Sequence, residues 1–205
     1  MGLKNIKIKS RVYLLFNGEK AEPQYFQDLK DHLKANNILV KYKKEFIKKS
    51  PWDFMDCAIK YKQEEILNGN LSIQDGDEIW CIFDIDNYFE ENSTKFKRMI
   101  ELAKKNDIKI AWSNECFEFW FLCHFALYQS AMPRFNYHKS LSRHFKNRKL
   151  GKYTKNMEGV FGKLLPFMEI AIKNAKKTFD GRLENNPSTA IHILVHKLLN
   201  NKDLK

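Results

Sequence analysis

Short apolar runs alternate with helically spaced ones through the first half of the chain. Arg11-Val12-Tyr13-Leu14-Leu15-Phe16 is a continuous apolar run that stops at Asn17-Gly18, the pattern of a strand buried on both faces. Pro23 then suits the first turn of a helix that carries Tyr25, Phe26, Leu29 and Leu33 at helical spacing. Residues 39–47 mix apolar side chains with lysines, as a half-exposed edge strand does. Ser50-Pro51 opens a second helix with Phe54, Ala58, Tyr61 and Ile66 on its buried side. After the turn Asp75-Gly76-Asp77, residues 78–83 form the strongest buried strand in the sequence. Ser93 caps a third helix running to about Asn106, and residues 108–112 make a fourth strand ending at Ser113-Asn114.

Strands separated by helices, with no hairpin between them, imply an α/β fold with about four mainly parallel strands. Beyond Cys116 the alternation stops. Residues 117–128 read as a buried helix, 156–179 as a long amphipathic one, and Ser188 as the cap of a last helix carrying Ile191, Leu194, Val195, Leu198 and Leu199. The expected organisation is an α/β core over residues 1–128 and a basic helical appendage over 129–205, packed together as one unit.

Composition adds a map of charge. The 205 residues are 43% hydrophobic, enough for a packed core, and 36 Lys and Arg against 25 Asp and Glu give a formal net charge of +11. Residues 1–50 hold 12 basic and 5 acidic side chains, 51–133 hold 8 and 15, and 134–182 hold 13 and 3. An acidic middle therefore lies between basic flanks, which suits a cation or catalytic carboxylates in the middle and polyanions at the edges. The longest apolar stretch, 117–128, is interrupted by Glu118 and His124 and is too short for a membrane span. The first residues lack the apolar stretch of a secretory leader, and Ile6 stands where a myristoylation signal needs Ser or Thr. Cys57, Cys81, Cys116 and Cys123 have neither metal-site pairing nor a small-domain framework, and read as reduced, mostly buried thiols of a cytoplasmic protein.

Ligand and active sites of open parallel sheets lie beyond the carboxyl ends of the strands. Three polar clusters fall there: Asn17-Gly18-Glu19-Lys20-Ala21-Glu22, then Asp84-Ile85-Asp86-Asn87, then Ser113-Asn114-Glu115-Cys116-Phe117-Glu118. In an extended segment Asp84 and Asp86 point the same way, and two hard oxygen ligands suit Mg²⁺ or Mn²⁺. The plainer alternative is turn chemistry at Asp86-Asn87 and a solvated strand end at Asp84. Glu22 doubles as a helix N-terminal carboxylate, and Glu19 as a surface partner for a lysine. Glu118 fits the site as a ligand or as a partner for a lysine, whereas His124, in an apolar stretch, reads as a hydrogen-bonded core histidine. In the basic segment Arg134, Arg143, Arg148, Lys149, Lys152 and Lys155 are interleaved with Phe135, Tyr137, Phe145 and Tyr153, a combination that suits phosphates and unstacked bases.

These clusters resemble the motifs of the RloB family and the related AbiLii abortive-infection proteins. The opening Phe16-Asn17-Gly18-Glu19-Lys20-Ala21-Glu22-Pro23-Gln24-Tyr25-Phe26 is similar to that family's EGEKTEPxYF, and Trp80-Cys81-Ile82-Phe83-Asp84-Ile85-Asp86 to its strand ending in DxD. Residues 113–125 resemble its SNPxFExWLLxHF block, with Tyr153-Thr154-Lys155 and Asn186-Pro187-Ser188-Thr189 resembling its later segments. The resemblance implies a Toprim-type domain and a metal-dependent nuclease acting on DNA or RNA in antiphage defence, with an ATPase encoded nearby as a possible partner. It implies Asp84 and Asp86 as ligands for Mg²⁺ or Mn²⁺, with Asn17, Glu22 or Glu118 completing the site; the basic side chains themselves make Lys20, Arg143, Arg148, Lys149, Lys152 and Lys155 the expected nucleic-acid contacts. The likeness breaks at Asn17, where the family has a metal-binding Glu; the amide keeps an oxygen but loses the charge. A catalytically inactive subunit that binds nucleic acid or the ATPase is therefore the alternative expectation.

Overall fold

In the computed structural model the description covers residues 10–86 and 88–201, with backbone alone at 88–91. The amino-terminal residues read above for a leader, and Asn87, lie outside it. A five-stranded sheet in the order β2-β1-β3-β4-β5 runs through the molecule. Strands β1 (Val12–Phe16), β2 (Ile38–Lys41), β3 (Glu78–Asp84) and β4 (Ile108–Asn114) are mutually parallel, and β5 (Ser188–Thr189) runs antiparallel to β4. The helices linking them are α1 (Ala21–Leu33), α2 (Pro51–Leu67) and α3 (Tyr88–Lys105). After β4 come α4 (Glu118–Cys123), α5 (Arg134–Asn147), α6 (Val160–Leu164), α7 (Met168–Thr178) and α8 (Ile191–Asn200).

The period of two along each strand sorts the core into two layers. Val12, Leu14, Phe16, Trp80, Ile82 and Ala111 face α1 and the helices that follow β4, while Tyr13, Leu15, Ile79, Cys81, Phe83 and Trp112 face α2 and α3. All five β1 residues are buried, as a strand covered on both faces requires. At roughly 1.5–3 kcal/mol for each large apolar side chain removed from water, this strand is a principal source of stability.

Several elements depart from the sequence expectation. The edge strand β2 stops at Lys41, and residues 44–46 turn as a 3₁₀ segment that buries Phe46. The expected helix over 117–128 covers only Glu118–Cys123. Beyond it the amides of His124 and Phe125 reach back three residues, to Phe121 and Leu122, and the His124 ring takes the Trp120 carbonyl. The expected helix over 156–179 is divided into α6, a 3₁₀ turn containing Pro166, and α7, because proline cannot donate to the helical ladder. Ser188 lies in β5 instead of capping α8; the hydroxyl of neighbouring Thr189 accepts from the Ile191 amide at 3.2 Å. The expected cap at Ser50 holds, its Oγ accepting from the Asp53 amide at 3.2 Å, whereas the third helix begins at Tyr88 instead of at Ser93, and the non-helical backbone within it falls on Asn92. Among the described residues no helix is long and apolar enough to cross a membrane.

Candidate functional site

The carboxyl ends of β1 and β3 and the turn after β4 open into one cavity of about 500 Å³. Its lining includes Asn17, Lys20, Glu22, Asp84, Asp86 and Glu118, so the structure brings together six of the residues singled out in the sequence. Lys155, from the loop before α6, lines it as well.

An aromatic cluster sets the spacing of the acids. Tyr25 on α1 makes edge contacts with Phe117 and Phe161, with centroids 5.6 and 5.3 Å apart, and packs against Phe121 at 5.7 Å. Glu22 lies one helical turn before Tyr25 and Phe26, on the same face, and Glu118 directly follows Phe117. Docking α1 onto α4 through these rings therefore carries Glu22 and Glu118 to the end of β3, where Asp84 stands. Gly18 makes room for the arrangement, because a side chain there would run into the Glu22 carboxylate.

The electrostatics separate these acids from those elsewhere on the sheet. At the amino edge, burial raises Asp77, but amides of Ser72 and Arg11 and the Arg11 guanidinium at 2.8 Å outweigh it and hold the carboxyl below its usual range. Glu78 is likewise pulled down against its burial by Lys109 at 2.6 Å and Lys197 at 2.9 Å, helped by the Trp80 indole. At the carboxyl edge the balance reverses. Burial pushes Glu22 up to about 7, Glu118 adds to the rise, and the Glu22 amide, Arg134 and Lys155 only partly oppose it. Asp84 is raised well above the carboxylate range by burial and by Glu22 and Glu118, against the pull of Arg134 and the Phe117 amide. Its Oδ1 is buried without a hydrogen-bond partner. Crowded, incompletely neutralised carboxylates in a cleft mark a site prepared for positive charge.

Asp86 differs from the extended geometry expected of it. It sits in a turn with φ of 48°, and both it and Asp84 are addressed by Arg134, the first residue of α5. The Asp84–Arg134 separation is 3.6 Å, an ion pair without a hydrogen bond, whereas the Asp86–Arg134 contact is a short hydrogen-bonded pair. Asn17 donates through its side-chain nitrogen to the carbonyls of Phe46 (2.9 Å) and Lys49 (3.2 Å), so both amide hydrogens are committed to tethering the loop after β2. Glu19 pairs with Lys48 at the surface at 3.5 Å. His124 is fully buried, bonded to the Trp120 carbonyl and lowered by desolvation to about 4.

The oxygen-only donor set and the orphaned Asp84 Oδ1 fit a hard divalent cation. Among the described residues, however, no group of three or more His, Cys, Asp or Glu side chains is already arranged around one point as metal ligands. The basic segment divides. Arg134 and Lys155 reach the cavity, whereas Lys149 and Lys152 line a separate depression with Ser142 and Lys146. Arg148 stacks over the Phe167 ring at 5.2 Å, and Arg143 is exposed on α5. Tyr137, Phe145 and Tyr153 are core residues unable to stack on bases; Phe135, 73% exposed, is the exception among the aromatics of that series. Sequence reasoning missed the place of Arg134 in the site and the lining residues Lys48, Lys49 and Asn156. Lys48 and Lys49 were in principle findable, since the loop after β2 also opens at the carboxyl edge.

Fold and site together define an α/β protein with an acidic cluster at the carboxyl edge of a mostly parallel sheet, rimmed by lysines. A family model described as RloB-like protein matches residues 12–198, and the chain belongs to that family. No curated protein and no solved structure matches the chain.

Proposed function

We propose that this protein is a divalent-cation-dependent nucleic-acid phosphodiesterase of Toprim type that serves in antiphage defence. The observation that carries the reading is the convergence of Glu22, Asp84, Asp86 and Glu118 from the junctions after β1, β3 and β4 into one lysine-rimmed cavity. Asp84 and Asp86 would hold Mg²⁺ or Mn²⁺, with Asn17 offering an amide oxygen and Glu118 a further carboxylate. The bound ion would supply Lewis-acid polarisation of a phosphodiester. Lys20, Lys48, Lys49 and Lys155 hold a strand of DNA or RNA by its phosphates, and the interaction weakens steeply with salt. Glu22, raised to about 7, holds or releases a proton near neutral pH, the property a general acid or base requires.

Purified protein incubated with Mn²⁺ and single- and double-stranded DNA and RNA tests the reading. The expected result is cleavage that stops on chelation and is abolished in Asp84→Ala with the unfolding midpoint kept. Undiminished cleavage by Asp84→Ala overturns the assignment.

One observation favours a second reading, an inactive subunit that binds nucleic acid or an ATPase partner: the position after β1 carries an amide engaged with backbone carbonyls and not a carboxylate. On that reading the parent protein binds oligonucleotides in Mn²⁺ without cutting them. Cleavage switched on by Asn17→Glu would show that the remaining site is competent.

A further inference from the structure

We propose that Arg134 is the built-in counter-cation of this site, holding Asp84 and Asp86 when no divalent ion is bound and moving to a phosphate oxygen of the substrate when one is. The inference rests on the phosphodiesterase reading and adds a two-position role for a residue outside the matched motifs.

Three features of the molecule support it. Arg134 is the one guanidinium lining the cavity among the described residues, and it contacts the two aspartates assigned to the cation. The site is crowded with acids: Glu22, Asp84, Asp86 and Glu118 line one cavity, the Asp84 Oδ1 is buried without a hydrogen-bond partner, and Arg134 is the guanidinium that faces this charge. A divalent ion on Asp84 and Asp86 would do the same work and repel the guanidinium, so the two compete for the same oxygens.

The third feature is exposure. The Arg134 side chain is 48% exposed, and it extends from the first turn of α5, directly after Pro133 and a stretch without regular structure. The guanidinium side of the pair faces solvent, so withdrawing it disturbs no core packing. A freed guanidinium at the mouth of a lysine-rimmed cavity meets any phosphodiester placed there, and its planar fork matches two phosphate oxygens.

Linkage gives the idea a signature that needs no turnover. Mn²⁺ affinity is measured calorimetrically on the whole protein, with and without dimethyl phosphate as a minimal phosphodiester, for wild type, Arg134→Ala, Arg134→Lys and Asp84→Ala. Removing the competitor in Arg134→Ala tightens Mn²⁺ binding by about two- to fivefold, the range expected for losing one such ion pair. Dimethyl phosphate strengthens Mn²⁺ binding to wild type, and this coupling disappears in Arg134→Ala and survives in part in Arg134→Lys. Unchanged Mn²⁺ affinity and unchanged phosphate coupling in Arg134→Ala, with Asp84→Ala still abolishing Mn²⁺ binding, overturns the role of Arg134 and leaves the cation site intact. Equal Mn²⁺ binding by wild type and Asp84→Ala removes the cation site, and the proposal for Arg134 falls with it.

Discussion

Replacing Glu22 by Gln is expected to stabilise the protein at alkaline pH and leave it almost unchanged at acidic pH. The side chain is 7% exposed, and burial with the neighbouring Glu118 lifts its carboxyl from 4.5 to about 7. In the unfolded chain the same group releases its proton near 4.5, so between these values the folded state binds more protons than the unfolded one. Stability is therefore full below pH 4.5 and falls as pH rises through 7. A shift of this size corresponds to about 3 kcal/mol at 1.36 kcal/mol per unit, an upper bound because the acids relax together. The neutral Gln removes that loss, so urea unfolding in the presence of a chelator should show a gain of about 1–3 kcal/mol at pH 8 and less than about 0.5 kcal/mol at pH 4. The same ΔΔG at both pH values, or a loss of stability confined to pH 8, would refute the account of a carboxylate strained by burial.

The acid limb has a separate source. Buried His124, lowered to about 4 by desolvation, must be charged as pH falls from its usual 6.5, which withdraws up to about 3 kcal/mol of stability over that window. Its variant His124→Leu, measured by the same unfolding assay against pH, should lose this slope. Asn17→Glu forfeits two donated hydrogen bonds to the Phe46 and Lys49 carbonyls and should lower stability by about 1–3 kcal/mol in thermal or urea unfolding, whether or not it alters cleavage.

The central sheet was legible because β1, β3 and β4 are long, apolar and flanked by breakers, and these three strands carry most of the site. Asp84, Asp86, Glu22 and Glu118 could be placed because each follows directly on a strand or helix boundary that the pattern defines. What escaped reading depends on contacts between distant segments. The two residues of β5 have no periodicity to detect, and pair with β4 across 76 residues through Ser113 and Thr189. Arg134 looked like one cation among 13 in a basic segment, and only the placement of the first residue of α5 at the end of β3 distinguishes it. Lys48 and Lys49 were obscured because lysines and apolar residues alternate through 39–47 as they would in a longer strand, whereas Phe46 turns inward in a 3₁₀ segment. Tyr137, Phe145 and Tyr153 were misread as base contacts because an aromatic among cations can serve the core or a ligand, and the sequence does not say which.

The fifth strand also bears on how the protein is made. β4 ends beside the acidic cluster, and its last residues are held from far along the chain: Ser113 by the Thr189 hydroxyl at 2.8 Å, and Asn114 by the Leu183 carbonyl at 2.9 Å. Because a polypeptide leaves the ribosome amino end first, every acid of the cluster emerges long before these partners do. A chain halted before residue 183 thus carries all the acidic side chains but lacks the clasp beside them. A cell translating this protein meets the finished site only after Thr189 has emerged, so fragments terminated before it lack part of what holds the site.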